Sequence, residues 1–173
     1  MKRDFHDHLR LLTITGVLTA LTTVATLLIR IPTPTKGYVN LGDTIVNIAG
    51  WLLGPWYGAF AAGVGSALAD LIAGYTIYIP ATLVIKALMA IIGYFVFRTL
   101  AKDRPTIKAR IASAIVAELV MIAGYALFEG VLYGSAAAAL TSAAGNAVQG
   151  IFGAAASVLL YELVLRRIPR LTK

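Results

Sequence analysis

The chain contains no cysteine, which excludes disulfides and thiolate metal sites. Charge is also scarce, at 13% of residues, and acidic groups scarcer still: 8 Asp and Glu against 15 Lys and Arg, a formal charge of +7. The two histidines, His6 and His8, sit in the polar N-terminal segment, and no metal-ligand spacing or nucleophile–base pairing accompanies them. No Walker motif is present, so ATP hydrolysis by this chain is excluded. Gly63-x-Gly65-Ser66 lies inside an apolar run with no flanking strand and carries no nucleotide reading. What dominates is apolar: 59% hydrophobic residues and a mean hydropathy of +0.82 over 173 residues. Those values do not suit a soluble protein of this size. They define a single integral membrane domain over 1–173. The apolar run Leu11–Ile31 is too long for a signal-peptide core and has no small-residue cleavage site, so it is read as a retained transmembrane helix.

The apolar pattern predicts an all-α bundle of six spans, at 9–30, 43–54, 56–73, 80–98, 109–130 and 141–165. The second and third are joined by Gly54-Pro55, where Pro55 stops one helix and opens the next. Pro80 opens the fourth span in the same way. Basic residues set the orientation. Lys2, Arg3 and Arg10 precede the first span; Arg98, Lys102, Arg104, Lys108 and Arg110 border the loop after the fourth; Arg166, Arg167, Arg170 and Lys173 follow the sixth. The opposite loops carry only Arg30 and Lys36, so both termini are expected in the cytoplasm. The positive charge is then a topology signal and a contact with anionic lipid, with no nucleic-acid partner implied.

Depth in this topology sorts the polar residues. Asp43 is separated from Gly54 by about ten residues, roughly 15 Å of helix against a hydrocarbon core of roughly 30 Å, which draws its carboxylate below the outer interface. A carboxylate there must face protein or a water-filled cavity. Asn47 follows one turn on. Asp70, Lys86, Glu129, Asn146 and Gln149 fall at the outer ends of their spans, with Glu118 alone near mid-depth, while the cytoplasmic half reads as apolar and small. Such asymmetry points to an outward pocket closed beneath, and against a continuous pore. Lys86 is expected to pair with Glu129, Asp70 or Glu118, either as part of a site or only to tie helices together. Asn146 and Gln149 carry two readings of equal weight, ligand contact or interhelical hydrogen bonding. The segment RIPTPTKGYVNLGD, with Tyr38 and Asn40, has no helical pattern and reads as an ordered lid over the outer mouth. Tyr75, Tyr78 and Tyr133 lie at the same face, as pocket walls or as interfacial belt residues. Small-residue stripes (Gly16 and Ala20; Ala59, Gly63 and Ala67; Gly150, Gly153, Ala154 and Ser157) permit close helix packing or a docking surface for another membrane protein.

The segments GYVNLGD, LLGPWYGAFAAGVGSALADLIAGY and YIPATLVIKALMA together resemble the substrate-binding S components of energy-coupling factor (ECF) vitamin transporters. The resemblance implies a vitamin-binding subunit without catalysis or cofactor of its own, in a prokaryotic plasma membrane. Its implied partners are a transmembrane coupling protein and two cytoplasmic ATPases. The family's coupling contact is an Ala-x-x-x-Ala pattern in the first helix, which falls here on Gly16 and Ala20. The branch looks closest to S components for pyridoxine-type B6 vitamers or the hydroxymethylpyrimidine precursor of thiamine; related branches take riboflavin, pantothenate or other vitamins. The expected substrate contacts are Tyr38, Asn40, Asp43, Asn47, Asp70, Tyr75, Tyr78, Lys86, Glu129, Asn146 and Gln149. A stand-alone ion-coupled secondary transporter is the competing class. It predicts inverted repeats and polar groups in both membrane halves. An enzyme would need a reactive constellation that is missing.

Overall fold

A computed structural model describes residues 2–102 and 106–168. The described residues are helical apart from one short hairpin and the connecting turns. In order come α1 (Lys2–Leu28), β1 (Arg30–Pro32), β2 (Tyr38–Asn40), α2 (Gly42–Ala73), a 3-10 turn at Thr76–Tyr78, α3 (Ile79–Ala101), α4 (Ile107–Leu132), α5 (Ala136–Leu163) and a 3-10 turn at Leu165–Arg167. Five of these stretches are long and apolar enough to cross a membrane. The expected count of six separate spans therefore meets five long helices, because the second and third predicted spans fall within α2.

That helix is broken at Gly54, whose φ of 79° and ψ of −174° are non-helical and open to glycine at little steric cost. Pro55 follows immediately, lacking the N–H that a continuing helix would need. Residues 42–53 and 55–73 thus form two arms folded against one another. A Cβ at Gly58 would lie 2.9 Å from the Ala49 carbonyl oxygen. Side chains cap two other helices: Thr106 Oγ1 accepts from the Ala109 amide at 3.2 Å and Ser135 Oγ from the Ala138 amide at 3.3 Å. The last helix starts at Ala136, five residues ahead of expectation, since a run of alanines extends it and Ser135 caps it.

Apolar and polar faces are arranged for lipid outside. Large apolar side chains such as Leu127, Val131, Leu140 and Ile151 are exposed, whereas the interior holds small residues together with Asp43, Asp70, Lys86 and Glu129. Small residues bring the backbones close. A Cβ at Gly65 would sit 2.6 Å from the Thr19 carbonyl oxygen, and Thr23 Oγ1 donates across the same crossing to the Gly65 carbonyl at 2.8 Å. Gly16 is different: nothing lies within 4 Å of a Cβ there, and both Gly16 and Ala20 face outward.

The end of the bundle opposite the hairpin is less apolar than its sequence implies. Arg110, expected as a loop-border cation, is 4% exposed, pairs with Glu162 at 2.5 Å and lies 3.8 Å above the centre of the Tyr161 ring. Trp51 Nε1 donates to Ser113 Oγ at 2.9 Å, which donates onward to the Gly93 carbonyl at 2.7 Å. These contacts pair most of the polar atoms of the cluster, with Arg110 Nε left without a hydrogen-bond partner. Of the basic residues used for orientation, Arg104, Arg170 and Lys173 lie outside the described residues, as do the side chains of Lys2 and Arg3.

Candidate functional site

The hairpin lies over the end of the bundle where α1 stops and α2 begins. Its strands pair antiparallel, with Arg30 opposite Asn40, Ile31 opposite Val39 and Pro32 opposite Tyr38. The connecting turn is tied by Thr33: its amide donates to the Gly37 carbonyl at 2.9 Å and its hydroxyl accepts from the Gly37 amide at 3.1 Å. Two phenols, one from the 3-10 turn before α3 and one just after α4, then converge on one acceptor. Tyr78 and Tyr133 each donate to the Thr35 carbonyl at 2.7 Å. The Asn40 amide donates to Gln149 Oε1 at 2.7 Å, fixing the second strand to α5.

Beneath the hairpin lies a cavity of about 30 Å³, room for one or two water molecules. Tyr38, Asn40, Asp70, Tyr78, Lys86, Glu129, Asn146 and Gln149 line it, all of them expected from the sequence. Asp43 does not line the cavity but lies directly behind it, bound to two residues that do. The Lys86 ammonium contacts Asp43 Oδ1, and Gln149 Nε2 donates to Asp43 Oδ2 at 2.5 Å. The pair is almost fully buried, with Asp43 at 0% and Lys86 at 2% exposure. Lys86 Nζ also stands 5.5 Å from the centre of the Tyr125 ring. The expected partners Glu129, Asp70 and Glu118 are therefore replaced by Asp43. The reason is packing: α2 and α3 lie side by side, and Lys86 reaches the first turn of α2 directly.

Two other expected contacts stand outside the cavity wall. Asn47 lies one turn below Asp43 and donates to Glu118 Oε1 at 2.9 Å, so the amide is used there. Tyr75 packs against Tyr38, with ring centres 4.6 Å apart and planes tilted by 53°. Tyr38 itself donates to Asp70 Oδ1 at 2.6 Å. Burial, and then the bond to this carboxylate, push the Tyr38 phenol above its ordinary pKa.

Sequence reasoning missed Thr26, Thr33, Thr35, Gly37, Ser66, Thr82, Tyr125 and Ser142 as lining residues. Ser66 could have been found, since it shares a helix stripe with Asp70. Thr82 and Tyr125 are brought together by the crossing of α3 and α4, where Tyr125 donates to Thr82 Oγ1 at 2.9 Å. Four buried polar atoms of the lining, Thr26 Oγ1, Ser66 Oγ, Asp70 Oδ2 and Glu129 Oε2, have no hydrogen-bond partner within the protein. Among the described residues, no group of three His, Cys, Asp or Glu is disposed to hold a metal.

A polar, hairpin-covered cavity at one end of an apolar helical bundle defines a membrane-embedded small-molecule binding protein. The comparisons narrow the class. The family model for the "ECF-type riboflavin transporter, S component" matches residues 7–166, and the chain belongs to that family. S components are substrate-binding transport subunits and not enzymes. The solved structure described as "Structure and mechanism of the S component of a bacterial ECF transporter" has the same fold, with a TM-score of 0.76 and 22% identity over 94% of this chain and 99% of that one. An uncharacterized protein in a gap 3' region of Pyrococcus woesei is 41% identical over 114 residues, covering 65% of this chain and 73% of its own length.

Proposed function

We propose that the chain is the vitamin-binding subunit of an ECF importer, capturing its ligand beneath the β1–β2 hairpin. The observation that carries this reading is the set of inward polar groups with unmet hydrogen bonds under a covering hairpin, within a family of substrate-binding subunits. The ligand is a small ring compound with polar edges, held against Tyr38 and Tyr78 and hydrogen-bonded to Asp70, Glu129, Asn146 and Gln149. The pair of Lys86 with Asp43 behind the cavity holds this geometry. Riboflavin is the first reading, on the family match. A pyridoxine-type vitamer or hydroxymethylpyrimidine is the second. It is favoured by the cavity, about 30 Å³ against the ~300–1,000 Å³ of drug-sized pockets, since a smaller ring demands less displacement of the hairpin.

In this reading the two arms of α2 are separate crossings, six in all, both termini are cytoplasmic, and the hairpin faces outward. Energy comes from two partner ATPases through a coupling protein that docks on the open stripe of Gly16 and Ala20. The test is titration of the detergent-purified chain with riboflavin, following quenching of flavin fluorescence, and with pyridoxine by calorimetry. Saturable one-to-one binding of either identifies the ring. Saturation by neither, in a chain that remains folded, overturns the riboflavin and pyridoxine readings. Uptake in cells should require the coexpressed ATPases; uptake driven by a proton or sodium gradient alone would instead identify a secondary transporter.

A further inference from the structure

The buried charges around the cavity do not balance. Among the described residues, four carboxyl groups, Asp43, Asp70, Glu118 and Glu129, are buried at this end and middle of the bundle, against a single buried lysine, Lys86. That lysine is committed to Asp43, whose second oxygen is taken by Gln149. Nothing cationic in the lining is left to receive an anion. The unmet atoms have the opposite need. Asp70 Oδ2 and Glu129 Oε2 are carboxyl oxygens from two different helices, both buried, both without a partner, and both in the cavity wall. Carboxylates are acceptors only, so each calls for an N–H or O–H from whatever enters. Thr26 Oγ1 and Ser66 Oγ, also unpartnered, complete the wall and can donate or accept.

Resting on the binding reading above, we infer that the site selects neutral or cationic ligands that donate hydrogen bonds to both Asp70 and Glu129, and that it rejects phosphorylated and carboxylated forms. A phosphate or carboxylate brought here meets two buried carboxyl groups and no free cation, in surroundings where water cannot screen the repulsion. The subunit therefore takes up the dephosphorylated vitamer, and any 5′-phosphate must be removed outside the cell by a phosphomonoester hydrolysis before import.

The experiment uses matched pairs on the purified full chain: riboflavin against riboflavin 5′-phosphate, and pyridoxine against pyridoxine 5′-phosphate, with pantothenate as a carboxylate. The parent that binds should lose at least about 100-fold in affinity on phosphorylation, and pantothenate should not bind. A phosphorylated member within tenfold of its parent, or tight binding of pantothenate, overturns the inference and leaves the vitamin reading standing. Binding of no member overturns the inference together with the riboflavin and pyridoxine readings. Asp70→Asn separates direct contact from support. It should weaken the binding parent by about tenfold or more, whereas Tyr38→Phe, which frees Asp70 Oδ1 and leaves Oδ2 in place, should weaken it less. Equal losses in the two variants would assign Asp70 to holding Tyr38 and overturn its role as a ligand acceptor.

Discussion

Replacing Lys86 by methionine isolates the ion pair beside the cavity. The side chain keeps its length and apolar stem, and only the ammonium is lost. Asp43, 0% exposed, is then left with the Gln149 amide as its remaining polar partner. Removing one member of a buried ion pair costs about 3–5 kcal/mol, because the other charge stays buried and uncompensated. For a chain of this length each kcal/mol moves Tm by about 2–4 °C, so Lys86→Met should melt roughly 6–20 °C below the parent. The double variant Asp43→Asn with Lys86→Met removes both charges and should recover most of that loss, since a neutral isosteric pair is often as stable as a buried salt bridge. The assay is thermal unfolding in one detergent, followed by tryptophan fluorescence, for parent, both single variants and the double. A single-variant loss below about 1 kcal/mol, the range of an exposed pair, would refute the assignment of Lys86 to Asp43. Additive losses in the double variant would refute it equally.

Gly65→Leu should destabilise the fold by about 1–3 kcal/mol or more, since a Cβ there meets the Thr19 carbonyl at 2.6 Å; Gly16→Leu, with open space around it, should leave the unfolding free energy within about 1 kcal/mol of the parent. In pull-down with the coupling protein the order reverses, and Gly16→Leu should fail to assemble while still binding vitamin. Arg110→Met should cost about 2 kcal/mol in thermal unfolding through loss of the Glu162 pair and the Tyr161 stack, with ligand affinity unchanged because the cluster lies at the far end from the cavity. The raised pKa of Tyr38 makes its stabilising contribution complete below the unfolded value of 10.0 and progressively lost as pH rises past it. Tyr38→Phe should therefore lose less stability than the parent between neutral pH and about pH 11, measured by pH-jump unfolding.

Residues that announce themselves by chemistry were legible in the sequence. Asp70, Lys86, Glu129 and Gln149 are polar groups within apolar runs, and such groups have few places to go except a cavity or one another. The Gly54-Pro55 break was equally plain. The partner of Lys86 was not, because Asp43, Asp70 and Glu129 fall at similar depth and only the side-by-side packing of α2 and α3 selects Asp43. Thr33 and Thr35 sit in the turn between β1 and β2, within a segment read only as a lid, and Thr26 and Thr82 were invisible for another reason. Threonines are common on membrane helices, where the hydroxyl can bond back along its own turn, as Thr22 Oγ1 does to the Leu18 carbonyl at 2.8 Å. Nothing in composition marks the ones that face inward. Arg110 misled because an arginine beside a loop reads as a snorkelling cation, yet here Glu162 and Tyr161, some fifty residues later, hold it inside.

The Gly54 break also bears on how the chain enters a bilayer. The arm of residues 42–53 spans only roughly 18 Å as helix and begins with a carboxylate, so a translocon meeting it alone would find a poor stop-transfer segment. The arm of residues 55–73 ends near Asp70, on the same side as Asp43. Partition into lipid is favourable only once both arms have emerged from the ribosome and closed on each other about Gly54. The pair is then a single co-translational insertion unit, and its two aspartates wait together at one end of the hairpin until α3 delivers Lys86.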